Sequence, residues 1–398
     1  GSRAANGVVA ITTKSGKEGK THIVYDGYIG ISNPWKKINV MGIEDFALMQ
    51  DYIHSSTIYS TNGQLYMTRQ ADGTLLYDKN KYNLIDTVRH NGVRDWWDAI
   101  IHTGLKTQHG ISVSGGTDKL QYLASGSYFK ENGIVKTSDY DRTNGRLNIK
   151  SKLSSWLNMS TNMAFTHEGR NGIPEGSSSI LKQALYESPL VYLHDAKGYW
   201  YNNNPLAVLN RNIDNMSRNR LDMNLSLDAK ILKFLSYQFK FSYYTVHETD
   251  NRFTGVWGLD EDFIMPGSLS QVHKYQNTAN KWEMNNLLTF NWSNANHKLT
   301  VLAGQTAESY RNSWQESFRS GTPSNESIFH YLSSAYTGDK TYGLDREWTA
   351  LGLIGRINYS LHDIYLLQFN VRADGSSMFA KGNRWGIFPS ISLGWRFS

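Results

Sequence analysis

From Thr21 onward, apolar and polar side chains alternate in long runs. Between Asp363 and Asp374, Tyr365, Leu367, Phe369, Val371 and Ala373 share one face, and Leu366, Gln368, Asn370, Arg372 and Asp374 the other. Successive side chains of a strand point to opposite faces, so this run predicts a strand with one apolar and one wet side. The pattern recurs. Leu221, Met223, Leu225, Leu227, Ala229 and Ile231 oppose Asp222, Asn224, Ser226, Asp228 and Lys230; Leu235, Tyr237, Phe239, Phe241 and Tyr243 oppose Ser236, Gln238, Lys240 and Ser242. Trp385, Ile387, Pro389, Ile391, Leu393, Trp395 and Phe397 repeat it near the end. About twelve strands follow, at roughly 21–31, 106–116, 119–131, 139–150, 155–168, 218–230, 234–248, 279–293, 297–310, 347–360, 363–374 and 385–397.

Short and long connections alternate. Short turns fall near Gly116-Thr117-Asp118, Ser151–Ser154, Leu232-Lys233, Asn294-Ala295-Asn296 and Leu361-His362; the long ones are 32–105, 132–138, 169–217, 249–278, 311–346 and 375–384. An up-and-down barrel in an outer membrane carries short turns on one rim and long loops on the other. The strands are about ten residues or longer, enough to cross a bilayer at a tilt. Trp156, Trp292, Trp385 and Trp395 stand near strand ends, where interfacial girdles belong. The fold class predicted is therefore all-β, an antiparallel up-and-down transmembrane β-barrel. Helical spacing within the long loops predicts short helices at Gly42–His54, Trp96–Ile101 and Ser177–Glu187, the last capped by Ser177 or Ser178 with Pro189 beyond its end. A soluble sugar-binding protein built on an antiparallel sheet is the alternative, and it requires Leu221, Leu225, Phe239, Phe241, Leu367 and Phe369 to pack into one interior.

Composition narrows the picture. Aromatics make up 13% of 398 residues, with 34 Gly, 7 Pro and no Cys. The missing cysteines exclude disulfides and thiolate metal sites. The net charge of +6 is spread along the chain rather than clustered, which argues against nucleic acid as a partner. No run approaches the roughly 18 apolar residues of a membrane-spanning helix, which leaves a barrel open. The chain has no zinc-protease, phosphate-loop or nucleophile-elbow motif, so no catalytic residue, cofactor or metal site is expected. Gly115-Gly116 reads as a hairpin turn, and Asp260-Glu261-Asp262 as a solvated acidic turn.

Gly1-Ser2-Arg3-Ala4-Ala5-Asn6-Gly7, followed by the β-branched run to Thr13, resembles the end of the plug domain in SusC/RagA-type TonB-dependent outer-membrane transporters. The stretch Arg372-Ala373-Asp374-Gly375-Ser376-Ser377, continuing to Ser390, is similar to a second motif of that family, with Met378 where a basic residue is usual. Asp95-Trp96 and Asn204-Pro205-Leu206-Ala207-Val208-Leu209 extend the resemblance along the chain. The resemblance implies a cell outer membrane location and TonB-dependent import of a large nutrient, an oligosaccharide or a peptide. It implies a SusD-like surface lipoprotein, the TonB complex and outer-membrane lipid as partners. Residues 1–20 would be the end of the plug and its hinge, and 21–398 the N-terminal portion of a barrel of about twenty-two strands. A passive porin-like channel closed by twelve strands is the competing reading, since twelve is an allowed number and Trp395-Arg396-Phe397 ends in an aromatic.

The best ligand-binding candidates are Tyr199, Trp200, Tyr201 and Asn202, with Trp257 and Trp314 in other long loops. Aromatic faces stack on apolar ligand surfaces, and Asn amides donate and accept hydrogen bonds. The bland reading is that these aromatics pack beneath their own loops. Asn148, Lys240, Asn370 and Arg372 should face the lumen, toward plug and water.

Overall fold

The computed structural model describes residues 16–43, 45–46, 49, 67–69, 71–72, 75–77, 95–176, 179–194, 198, 200, 203–256 and 269–397. Twelve of its strands form one antiparallel sheet: β1 (Gly19–Ser32), β4 (Gly104–Gly116), β5 (Leu120–Asn132), β6 (Asp139–Lys152), β7 (Leu157–Asn171), β8 (Ile213–Leu232), β9 (Leu235–Thr254), β10 (Gln271–Ser293), β11 (His297–Ser320), β12 (Thr337–Leu361), β13 (Tyr365–Ser376) and β14 (Trp385–Trp395). A separate hairpin, β2 (Met67–Arg69) with β3 (Leu75–Tyr77), lies in the first long connection. Each strand of the large sheet pairs with its sequence neighbour there, and β1 and β14 form its two edges. The twelve strands do not close on themselves, contrary to the twelve-strand porin reading.

The short turns are braced locally. Thr117 Oγ1 accepts from the Lys119 and Leu120 N–H groups, each at 3.2 Å. Asn294 Oδ1 accepts from Asn296 and His297 at 2.9 and 2.8 Å. Such side-chain oxygens imitate a backbone turn and fix the reversal. His362 and Asp363 both take left-handed backbone (φ 53° and 56°), the pair of conformations that a tight hairpin requires.

The pairing register assigns the two faces. Leu147, Met163, Met223 and Tyr243 stand in one cross-strand row and continue to Trp282. The opposite face supplies Asn144, Thr166, Arg220, Val246, Ala279 and Asn312 to a single concavity spanning six strands, so the wet face is the inner one. Leu221, Leu225, Phe239, Phe241, Leu367 and Phe369 all lie on the outer face by this register. None belongs to a buried cluster, so the single interior that a soluble sheet needs is not formed. Trp282 and Trp292 bracket the apolar band on β10. At about 3.4 Å per residue and a tilt near 45°, their separation spans roughly 24 Å, the height of an outer-membrane apolar band. On the short-turn rim, Trp292, His297 and Tyr359 form a stacked girdle with ring separations of 6.4 and 6.0 Å, tied by His297 Nδ1 to Tyr359 Oη at 2.6 Å.

Two features differ from the sequence reading. Strands β8 to β12 run well beyond the apolar band, so much of 249–278 and 311–346 is strand rather than loop. Above Trp282 the outer face also becomes polar: Gln276 meets Gln315 at 3.2 Å, and Arg311 pairs with Asp345 at 3.2 Å. With water on both sides, the alternation that marks a membrane strand is lost there. The second difference is a helix at Pro205–Arg211, described with its neighbours below.

The long-loop rim carries its own core. Helices α1 (Trp96–Ile100), α2 (Ile180–Tyr186) and α3 (Pro205–Arg211) bury Trp96, Ile100, Ile180, Ala184 and Leu209 together with Val135 from the β5–β6 loop. Asp95 caps α1 through the Asp98 N–H, and Asn204 caps α3 through the Ala207 N–H at 2.8 Å. Ser179 precedes α2 without a side-chain capping bond, and Ser177 and Ser178 lie outside the described residues. Within Gly42–His54, residues 43, 45, 46 and 49 are helical, and the remainder apart from Gly42 lies outside the described residues.

Candidate functional site: the lumen-facing wall

Above the apolar band, the inner faces of β9 to β12 carry successive cross-strand rows. The lowest row is Tyr244, Lys281, Tyr310 and Trp348. Higher rows are Val246, Ala279, Asn312 and Arg346, then Glu248, Asn277, Trp314 and Leu344, then Asp250, Tyr275, Glu316 and Tyr342, then Arg252, His273, Phe318 and Lys340. Same-face residues recur every two positions, so these rows follow one another at about 7 Å along the strands.

Aromatic contacts run up the wall. Tyr310 lies 5.9 Å from Trp348, Tyr275 lies 6.4 Å from Trp314, and Phe318 stacks on His273 at 4.4 Å. Charged groups are interleaved and paired. Arg218 holds Glu248 at 2.7 Å and Glu168 at 3.4 Å, and Tyr140 donates to Glu168 at 2.8 Å. Arg252 holds Asp250 at 2.6 Å, Lys281 holds Glu308 at 3.3 Å, and His273 Nε2 meets Glu316 at 2.8 Å. Cations also face rings: the Arg220 guanidinium is 5.0 Å from the Tyr244 ring, and Lys281 Nζ is 6.0 Å from Trp348. The wall thus offers flat apolar faces beside paired charges of both signs.

The sequence-derived candidates separate. Trp314 is not in a loop; it stands on β11 in this wall, half-buried. Trp200 bridges His194 within its own loop, with rings 4.5 Å apart, and its carbonyl accepts from Arg211 Nη2 at 3.3 Å. Trp200 therefore fits the packing reading. Tyr199, Tyr201, Asn202 and Trp257 lie outside the described residues, as do Asp260-Glu261-Asp262 and the first motif, Gly1 to Gly7. Asn148, Lys240, Asn370 and Arg372 fall on the inner face by register. Sequence reading missed Tyr275, Tyr310, Phe318, Tyr342 and Trp348 as a set. Their spacing by twos was the available signal, hidden because the outer positions between them are polar.

The second family-like motif turns out to brace the β13–β14 hairpin. Arg372 Nε donates to both Asp374 oxygens at 2.8 and 2.7 Å on the inner face. Ser377 fastens this hairpin to β12: its N–H donates to the Thr349 carbonyl and its Oγ accepts from the Thr349 N–H. On the long-loop rim, burial pushes the Glu187 carboxyl above its ordinary range, opposed by hydrogen bonds from Ser188 and Gln183.

No family model matches the chain. The whole chain aligns with TonB-dependent receptor P39 of Formosa agariphila at 28% identity, covering 36% of that protein. It aligns as fully with TonB-dependent receptor SusC of Bacteroides thetaiotaomicron at 28% identity, covering 39% of it. Among solved structures, the RagAB peptide importer in its open-open state matches 98% of this chain with a TM-score of 0.70 at 21% identity, over 46% of that chain. Over its whole length the chain is similar in sequence to SusC-type TonB-dependent receptors. Its fold is the wall of an outer-membrane β-barrel, and it lies in the outer membrane. This SusC-like wall spans well under half the length of the curated relatives it matches.

Proposed function

We propose that this wall belongs to a TonB-dependent importer that takes a large nutrient, an oligosaccharide or a peptide, across the outer membrane. A SusD-like lipoprotein delivers the ligand at the long-loop rim, and the TonB complex supplies the work. In this reading residues 1–20 are the end of the plug and its hinge, and 21–398 the first part of the barrel. The observation that carries the proposal is the inner wall above the apolar band. Tyr275, Tyr310, Trp314 and Trp348 form a path of aromatic faces leading from the rim toward the membrane. Stacking on a ring is compatible with a sugar or a peptide and holds a ligand without trapping it. The relatives are receptors rather than enzymes, in keeping with a non-catalytic role.

The test is uptake. Cells lacking the gene are compared with complemented cells for growth on defined glycans and on defined peptides, with and without TonB. The reading predicts loss of growth on one nutrient class, restored only when both the gene and TonB are present. Growth that needs the gene but not TonB would indicate a passive channel instead.

A further inference from the structure

Charge along the upper inner wall does not balance. Glu168, Glu248, Asp250, Glu308 and Glu316 are held by cations or a histidine as described above. Asp214 lies 3.3 Å from Arg170, and Asp222 lies 2.7 Å from Arg220. Two cations of β12 are left over. Arg346 and Lys340 face inward by register, are exposed, and make no ion pair or side-chain hydrogen bond with any described residue. Arg346 stands in the middle of the aromatic path. Tyr310 and Trp348 occupy the row below it, and Trp314 the row above. Its own row continues to Asn312 and then to Ala279, whose short side chain leaves the wall hollow. Asn312 Nδ2 donates to Asn277 Oδ1 at 2.6 Å, which fixes a pair of amides on the strands beside β12.

A carboxylate is the acceptor that matches the fork of a guanidinium, and the charge-assisted pair is stronger than a neutral hydrogen bond. The carboxylates of the wall near Arg346 are already taken, so its partner comes with the ligand. Four residues separate Tyr310 from Trp314, about 14 Å along the strand, room for a short run of linked rings between two stacking faces. The amides of Asn277 and Asn312 both donate and accept, as pairs of hydroxyls do. In an acidic sugar the carboxylate is attached to the ring that stacks, so one rigid unit meets both the cation and the aromatic face. An acidic side chain of a peptide brings the charge without a flat apolar face.

We propose that the ligand of this wall is an acidic oligosaccharide, with Arg346 binding a ring carboxylate while Trp348 and Trp314 stack on the rings to either side. Lys340, nearer the rim, draws the same charge inward. The proposal rests on the import reading and narrows its ligand to one class. The full-length receptor is purified in detergent, and tryptophan quenching reports binding of short oligosaccharides of polygalacturonate, alginate and hyaluronan, each beside its carboxyl-reduced counterpart. At least one acidic form should bind about ten- to hundred-fold more tightly than its reduced form, the range of a hydrogen bond to a charged group. Arg346→Lys should keep most of that preference, and Arg346→Gln should bind the two forms alike. Trp348→Ala should weaken both forms together. Folded barrel is scored in every variant by heat-modifiable migration on gels. Raising the salt concentration on the unsubstituted receptor should shrink the preference several-fold, a readout that needs no variant. Absence of any preference for an acidic form overturns the proposal, as does a preference indifferent to salt or one that survives in folded Arg346→Gln. Tight binding of tetraglutamate with none of the acidic sugars overturns it too. TonB-dependent growth is scored separately. A preference that follows Arg346 without such growth counts against the import reading and leaves the site standing. TonB-dependent growth on a neutral glycan without the preference does the reverse.

Discussion

The indole of Trp385 lies directly over Gly375, its partner across the β13–β14 ladder. A Cβ at Gly375 would come within 2.8 Å of the ring, so a side chain there must push the indole away. This contact explains the glycine in the Arg372–Ser377 motif: it leaves the flat place on which an outward Trp rests at the long-loop rim. Gly375→Ala should cost about 1–3 kcal/mol, the usual penalty for overpacking. Urea titration of the purified protein in detergent, followed by tryptophan fluorescence, should show an earlier midpoint. Trp385→Ala in the same background should abolish most of the difference, because the clash is then gone.

The opposite behaviour of the two faces gives a second prediction. Phe239 faces outward near the middle of the band, in register with Leu227 and Asn286. Ser242 faces the lumen, donating from Oγ to Asn224 Oδ1 at 2.8 Å. Phe239→Arg should destabilise the folded barrel by about 2–4 kcal/mol, the cost of a cation near the bilayer midplane. Ser242→Arg should cost well under half of that. Reversible unfolding in lipid vesicles measures both, and equal costs would contradict the assignment of faces.

The part of this wall that crosses the membrane was readable because lipid on one side and water on the other force a period of two. Leu221 to Ile231 and Tyr365 to Ala373 display it plainly, and their strands fall where the alternation placed them. The upper halves of β8 to β12 were not readable by the same rule. Gln276, Ser313 and Asp345 face outward into water, so nothing in the pattern distinguishes them from the inner Asn277, Asn312 and Arg346. The sequence pattern therefore places Trp314 in a loop, whereas it stands on β11. The helix at Pro205–Arg211 was a different omission. Asn204 followed by Pro205 is a sound start signal, with an Asn side chain to cap and a proline whose missing N–H costs nothing in the first turn. Only seven residues follow, too few for helical periodicity to stand out.

Trp314 and Trp200 provide a functional contrast. Trp314 presents its ring on the inner wall beside Tyr275, whereas Trp200 is engaged by His194 and Arg211 within its loop. Losing an aromatic stack costs about 0.5–1.5 kcal/mol, which corresponds to a roughly 2–12-fold weaker interaction. Trp314→Ala should therefore weaken uptake at limiting nutrient by that order, with normal amounts of folded protein in the membrane. Trp200→Ala should instead increase protease cleavage in the 188–204 loop. Concentration-dependent growth and limited proteolysis on intact cells distinguish the two. Loss of uptake in Trp200→Ala with unchanged proteolysis would move the ligand contact to the loop.

The segment between β11 and β12 supplies a pH dependence. Its His330 ring stacks on Phe253 with centroids 3.8 Å apart, and Nε2 donates to the Asn325 carbonyl at 2.9 Å. Phe253, Val272 and Ala335 are buried in this contact, which fastens the segment to the outer face above the membrane. Burial lowers the His330 pKa below its ordinary value of 6.5; the Asn325 hydrogen bond opposes this and Lys274 adds to it. The docked segment thus binds fewer protons than the released one. Docking is strongest above about pH 6.5 and weakens as pH falls below that value toward the lowered pKa. Hydrogen exchange of residues 321–336 should accelerate between pH 7.5 and pH 5 after correction for intrinsic rates, while the β10–β11 ladder at membrane height should not change. His330→Gln, which cannot be protonated, should remove most of this pH dependence even where it lowers docking overall. An unchanged acid response in that variant would assign the titration to another group.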